Sequence, residues 1–291
     1  MQRSLASIKQ QIYQQFELIV ILDGWDEQAF KWIQKQLPSA HILINEHPVG
    51  AATARNQALK QAQGEFIAFL DDDDIWEPSY LQVQINYLKQ HPQHIFSYVG
   101  HWVGNEKSGW LLADNTPAQV QETTILTLLC EPFIHSMSLL VCRKQALEIG
   151  LLDSTFSIVH DHEWYVRVLA QSGQTVGRIQ QTLVYRCHHD DQLVSNFERW
   201  QSEEQIVIET FFKENPQYQH HRATVYAARA LFFGHLHLTR GERHLGLINL
   251  YNALLVHSAK ATLWFGTARL WRNLRNQLTT QHHAVSNDSP L

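Results

Sequence analysis

The sequence is poor in cysteine, with only Cys130, Cys142 and Cys187 among 291 residues, each far from the others. That scarcity excludes a disulfide framework and a cysteine-built zinc site, and it suits a reducing compartment. Long apolar runs are missing as well. Nothing approaches the roughly 18 residues that would suggest a membrane-crossing helix. The opening Met1-Gln2-Arg3-Ser4-Leu5-Ala6-Ser7-Ile8 has no extended apolar core of the signal-peptide kind, so the expected location is cytoplasmic. Positive charge is in deficit, with 23 basic against 28 acidic side chains and a net charge of −5. No broad basic face is available for nucleic acid. Histidine is plentiful at 18, yet His188-His189 and His220-His221 lack regular ligand spacing. What is present is a 44% hydrophobic, 11% aromatic composition, which supports a real core and excludes a disordered chain.

The most informative stretch is Phe66-Ile67-Ala68-Phe69-Leu70-Asp71-Asp72-Asp73-Asp74, an apolar run that ends abruptly in acids. The apolar part fits a buried strand. Adjacent carboxylates repel one another unless cations or donors neutralise them. Oxygen ligands delivered to a sheet edge suit Mg²⁺ or Mn²⁺ held against a phosphate. The alternative is a solvated acidic turn.

Short apolar runs alternate with helical patterns over the first two thirds. Helices are expected at 2–15, 26–36, 51–63 and 78–90, and strands at 16–22, 42–44, 66–70 and 95–99. A loop or hairpin is expected over 104–119. Then come helix 120–130, strand 139–142, helices 144–149 and 161–172, and strand 182–186. The alternation argues for an α/β fold with a mainly parallel sheet flanked by helices. Ligands in such sheets bind beyond the carboxyl ends of the strands, where Asp23 and Asp71 to Asp74 both fall. From about residue 196 the pattern is wholly helical, at 197–213, 221–239, 242–256 and 259–278. The expected domains are therefore 1–195, a helical extension over 196–279 and a frayed tail over 280–291. Residues 259–278 are amphipathic and basic near their end. They read either as a helix packed on its neighbours or as a peripheral membrane contact.

Three further constellations can carry chemistry. Gly50-Ala51-Ala52-Thr53-Ala54-Arg55-Asn56 is a small-residue entry into a helix, with Arg55 and Asn56 able to reach a base or phosphate. His160-Asp161-His162-Glu163 opens a helix whose apolar face includes Trp164 and Tyr165. Asp161 is then either an N-cap or a general base at a cleft rim. Tyr185-Arg186-Cys187-His188 ends a strand with an imidazole, for which a structural role is the plain alternative.

Taken in order, Leu22-Asp23-Gly24, Ala54-Arg55-Asn56, Phe69-Leu70-Asp71-Asp72-Asp73-Asp74, Trp76-Glu77-Pro78, His160-Asp161 and Tyr185-Arg186-Cys187-His188 resemble a family 2 glycosyltransferase of GT-A fold over roughly residues 5–190. The resemblance implies an inverting transfer of a sugar from a nucleotide-diphosphate sugar donor to a glycan, lipid-linked or other hydroxyl acceptor, in cell-surface polysaccharide or glycan synthesis. It places Asp71 and Asp73 on a divalent cation, Mn²⁺ or Mg²⁺, with His188 assisting. Asp23, Arg55, Asn56, Asp71 and Asp74 would bind the nucleotide sugar, and Asp161 would be the catalytic base.

The chain departs from the family pattern in three places. The apolar strand that normally precedes the first helix is absent, and a start codon lying upstream is favoured over a damaged gene product. Leu22 stands where the family often carries an acid, and His160 where many relatives carry one. A non-catalytic remnant that binds sugar nucleotide or a partner enzyme is the rival expectation. A nucleotidyltransferase is disfavoured by the Asp161 and Tyr185-Arg186-Cys187-His188 segments.

Overall fold

The computed structural model describes residues 1–105, 109–112, 122–131, 134–187 and 196–256. The chain divides into two compact units, Met1–Leu128 with Pro132–Asn215, and Leu129–Glu131 with Pro216–Leu291.

The first unit begins with α1 (Gln2–Lys9), β1 (Ile19–Asp23), α2 (Glu27–Gln36), β2 (His41–Asn45), α3 (Ala51–Gln61), β3 (Phe66–Ala68), β4 (Ile75–Trp76) and α4 (Tyr80–Gln90). It continues through β5 (His94–Asn105), β6 (Gly109–Leu112), β7 (Glu122–Thr123), α5 (Ile125–Cys130, whose end falls in the second unit), β8 (Leu139–Cys142), α6 (Arg143–Ile149), α7 (His160–Ser172), β9 (Thr175–Cys187) and α8 (Phe197–Glu214). The α/β architecture is the expected one, and the sheet is mixed. Its main body runs β3-β8-β5-β9-β4, with β6 on β5 and β7 on β9. Among the described residues only β5 with β9 pairs in parallel there, whereas β1 and β2 form a separate parallel pair.

The core explains why these segments order. Trp76 and Tyr80 stack at 4.2 Å between centroids. Trp76 Nε1 donates to the Met137 carbonyl at 2.7 Å, and the Tyr80 hydroxyl to that of Leu139 at 3.2 Å. Each ring therefore buries its apolar body while its polar tip is satisfied. Phe96, Trp164 and Tyr165 form a second aromatic cluster where α7 meets the sheet.

One seam in the sheet is open. β1 is paired only with β2 and β3 only with β8, so each keeps an edge without a strand neighbour among the described residues. A cavity of about 1490 Å³ is lined by all of β1, by Phe66–Asp74, by Leu5 and Ile8 of α1, and by Ala54, Ala58 and Leu59 of α3. Although β1 reads Ile-Val-Ile-Leu-Asp, none of its residues is fully buried.

In the second unit, α9 (Arg222–Thr239) and α10 (Arg243–Val256) form a helical hairpin. Their backbones approach closely at Gly234 and Gly246; a Cβ on Gly246 would lie 2.6 Å from the Leu238 side chain. Among the described residues no helix is long and apolar enough to cross a membrane. The segment 259–278 lies outside them.

Candidate active site

The acidic run forms a tight turn between β3 and β4, in which the Asp74 amide donates to the Asp71 carbonyl at 3.2 Å. The four side chains part company there. Asp72 is exposed, and its carbonyl accepts from the Ser4 hydroxyl at 2.6 Å and from the Met1 amine. Asp71 and Asp73 are half-buried. Asp74 is buried, and its carboxylate accepts from the Cys187 amide at 3.0 Å, tying the turn to the end of β9. Burial, reinforced by the charges of Asp73 and Asp71, pushes the Asp74 carboxyl up to about 8.

Arg55 holds this turn against α7. It stands in the second turn of α3, whose entry is shaped by Gly50 at φ 89°, a left-handed conformation that favours glycine. The Asp23 carboxylate fixes that entry, accepting from the amides of Val49 at 2.8 Å and Gly50 at 2.9 Å and from Asn45 Nδ2 at 3.0 Å. The Arg55 guanidinium, 5.5 Å above the Phe69 ring, donates through Nη2 to Asp71 Oδ1 at 2.6 Å and to the Ser136 hydroxyl at 3.2 Å. Through Nη1 it meets His160 Nε2 at 2.7 Å. A guanidinium can only donate, so His160 accepts through Nε2 and its ring is neutral. Burial drives the His160 pKa down, with Asp161 opposing and Arg55 adding to the effect. Burial alone would raise Asp71, but the charge and hydrogen bond of Arg55 outweigh it and hold that carboxyl below its ordinary range.

Asp161 lies in the first turn of α7 and accepts from the His162 amide at 2.8 Å. Trp164, Tyr165, Val168 and Leu169 are buried on the same helix, which orients that turn toward the cavity. Asp23, Arg55, Asp71 to Asp74, His160 and Asp161 all line the one cavity. Asn56 does not. Its amide donates to the Leu152 carbonyl at 2.8 Å and accepts from the Leu152 amide at 2.9 Å, stapling α3 to the segment before α7. His188 lies outside the described residues.

Other groups join the cavity unannounced. Arg186 lines it and bears electrostatically on Asp71. It belongs to the strand-end motif from which only the imidazole had been singled out. Ser136 and His135 also line it. Burial, with Arg186 and His101 nearby, keeps the His135 pKa well below its usual value. Nothing in the sequence around Ser136 marks it, because its position depends on β8 pairing with β3 and β5.

Among the described residues no group of three or more His, Cys, Asp or Glu side chains is set to hold a metal ion. Asp71 and Asp73 nevertheless offer two carboxylates at one cavity. Mg²⁺-type sites commonly use one or two carboxylates plus substrate phosphates, so this donor set fits such an ion.

Comparison with known proteins identifies relatives for this geometry. Residues 1–149 match the sequence model of glycosyl transferase family 2. Over 148 residues the chain is 36% identical to the UDP-Glc:alpha-D-GlcNAc-diphosphoundecaprenol beta-1,3-glucosyltransferase WfgD of Escherichia coli, covering 45% of this chain and 58% of WfgD. It is 33% identical over 108 residues to the putative colanic acid biosynthesis glycosyl transferase WcaA of Escherichia coli K12, covering 35% of this chain and 37% of WcaA. The matched region is thus well short of either relative's full length. Among solved structures, TarS 1–349 of S. aureus superposes with a TM-score of 0.61 at 15% identity, covering 99% of this chain and 90% of that one. The mannosyltransferase PcManGT from Pyrobaculum calidifontis, in complex with GDP-Man and Mn²⁺, superposes at 0.60 and 13% identity, covering 98% and 84%.

Proposed function

Because the chain belongs to glycosyl transferase family 2, we propose that it moves a sugar from a nucleotide-diphosphate sugar to a hydroxyl of a glycan or lipid-linked acceptor, with inversion, in cell-surface polysaccharide synthesis. The observation that carries this is Arg55, whose guanidinium contacts Asp71 and His160 at once and so gathers the acidic turn and the Asp161 turn of α7 at one cavity. The acceptor class is supported by the diphosphoundecaprenol in WfgD's name and the donor class by TarS, which has been solved with UDP and UDP-GlcNAc.

Asp71 and Asp73, with His188 from the strand-end motif, would hold a Mn²⁺ or Mg²⁺ ion. Such an ion stabilises the charge gathering on a departing diphosphate. The chain's own residues do the rest. Arg55 supplies fixed positive charge beside Asp71. Asp23 holds the loop before α3 in place for the nucleoside, and Asp74 locks the acidic turn to β9. Asp161 takes the proton of the acceptor hydroxyl as it attacks, worth about 10²–10⁴-fold. A single base and one in-line displacement invert the anomeric carbon, with no second carboxylate needed as leaving-group acid. The free cysteines Cys130, Cys142 and Cys187 suit action on the cytoplasmic side. The amphipathic 259–278 segment is the proposed contact with the membrane carrying the acceptor.

The test is donor hydrolysis or transfer with UDP-, GDP- and dTDP-sugars and Mn²⁺. It uses this chain and one extended upstream, each beside Asp161→Asn. Turnover lost in Asp161→Asn supports the proposal. Nucleotide binding without turnover in either form would favour the non-catalytic reading, to which the open seam beside β1 lends weight.

A further inference from the structure

Val159, the residue before α7, gives that helix no side-chain cap. The amides of the three residues leading into it are held by another element instead. Glu203 of α8 accepts from the Ile158 amide at 2.8 Å and the Val159 amide at 3.2 Å through Oε2. Through Oε1 it accepts from the Ser157 amide at 3.1 Å and the Ser157 hydroxyl at 2.8 Å. Arg199 Nε, one turn earlier on α8, donates to the same Oε1 at 2.9 Å. The adjoining Glu204 is equally committed. Its Oε2 lies 2.8 Å from His162 Nδ1, and its Oε1 accepts from Trp200 Nε1 at 3.3 Å. His162 Nε2 is 3.2 Å from the Leu128 carbonyl, which can only accept, so that nitrogen carries a proton. Both glutamates are buried, on the face of α8 that also buries Val207, Ile208, Phe211 and Phe212.

Asp161 therefore sits between two clamps, one on Ser157–Val159 and the other on His162. We propose that Glu203 and Glu204 are positioning residues that set where the Asp161 carboxylate meets the acceptor hydroxyl. This rests on Asp161 being the base. Buried carboxylates satisfied by several donors are costly to leave half-paired, so they are retained where a fixed geometry is needed. Glu204 lines the same cavity, but the hydrogen bonds described for both glutamates go to α7, the segment before it and α8, whereas Arg55 and Asp71 stand on α3 and the acidic turn. Loss of the clamps should therefore separate chemistry from nucleotide binding. A carboxylate displaced by about 1 Å can cost on the order of 10²-fold in rate.

The experiment compares wild type, Glu203→Gln, the gentler Ser157→Ala and Asp161→Asn for kcat, donor KM, nucleotide Kd and amide exchange. In Glu203→Gln, faster exchange is expected at Ser157, Ile158 and Val159. There kcat should fall by about 10²-fold while nucleotide Kd stays within about twofold. Ser157→Ala should show the same split at a few-fold loss. Glu203→Gln with lost protection but wild-type kcat overturns the proposal, as does an equal loss of kcat and nucleotide binding. Active wild type together with active Asp161→Asn, or no turnover by wild type in either this or the upstream-extended chain, sinks the functional reading instead, and the two failures are thus distinguishable.

Discussion

Arg55 shows how much one side chain can organise. Its guanidinium serves Asp71, Ser136 and His160 simultaneously. A lysine ammonium is a point charge without the planar fork, so Arg55→Lys keeps the charge and loses the geometry. Nucleotide affinity, measured calorimetrically with UDP or GDP, should weaken about tenfold, and Arg55→Ala should cost more because half-buried Asp71 loses its partner. Unchanged affinity in Arg55→Lys would show that charge alone suffices. Glu203 gives a pH prediction. Burial opposes its ionisation, but the Ile158 amide, Arg199 and Ser157 hold its pKa at about 2 against an ordinary 4.5. A carboxyl depressed on folding adds stability that is fully present above pH 4.5 and is lost as pH falls toward 2, about 3 kcal/mol in all. In urea unfolding, wild type should thus lose stability more steeply than Glu203→Gln between pH 5 and pH 3. Parallel slopes would mean that the ionised carboxylate does not stabilise the fold.

Elements show what could be read ahead of the structure. The helices expected at 197–213, 221–239 and 242–256 appear as Phe197–Glu214, Arg222–Thr239 and Arg243–Val256, because helical periodicity is a local property. β4 was missed because Ile75-Trp76 is only two residues long and its pairing with Tyr185 and Val184 is remote. The mixed character of the sheet was hidden for the same reason. Strand direction is set by partners far away in sequence, not by the apolar run itself. The acidic turn, Arg55 and Asp161 were legible as motifs, whereas Ser136 and the Glu203 clamp arise from packing. A clue to the latter existed in α8, where Glu203 and Glu204 precede Val207, Ile208, Phe211 and Phe212 at helical spacing and so fall on the apolar face. Asn56 carries the element-scale prediction. Both atoms of its amide are spent on the backbone of buried Leu152. Asn56→Ala should lower stability by about 2 kcal/mol, or about 4–8 °C in Tm, with nucleotide affinity within twofold of wild type. A large loss of affinity at unchanged Tm would return Asn56 to the binding site.

At the scale of the molecule the open seam is the dominant fact. An Ile-Val-Ile-Leu strand with no fully buried residue is an anomaly, since such a sequence belongs in the middle of a sheet covered on both faces. β3 faces the same cavity with an edge of its own, and α1 contributes Leu5 and Ile8 to its lining. Apolar side chains left lining an open slot forgo about 25 cal/mol for each Å² that a neighbour would cover. Edge amides and carbonyls without partners are moreover open to pairing with any extended chain. An additional apolar strand supplied upstream of Met1 would satisfy β1 and β3 together. The extended chain should therefore melt higher than this one and protect Ile19–Leu22 and Phe66–Ala68 from amide exchange. An extension of equal length with a scrambled polar sequence should do neither. Because the cavity runs on to Asp71 and Asp161, the same strand should also tighten nucleotide binding. Equal protection of both strands in the extended and scrambled chains would refute the idea that this seam takes a strand, leaving it as part of the ligand cleft.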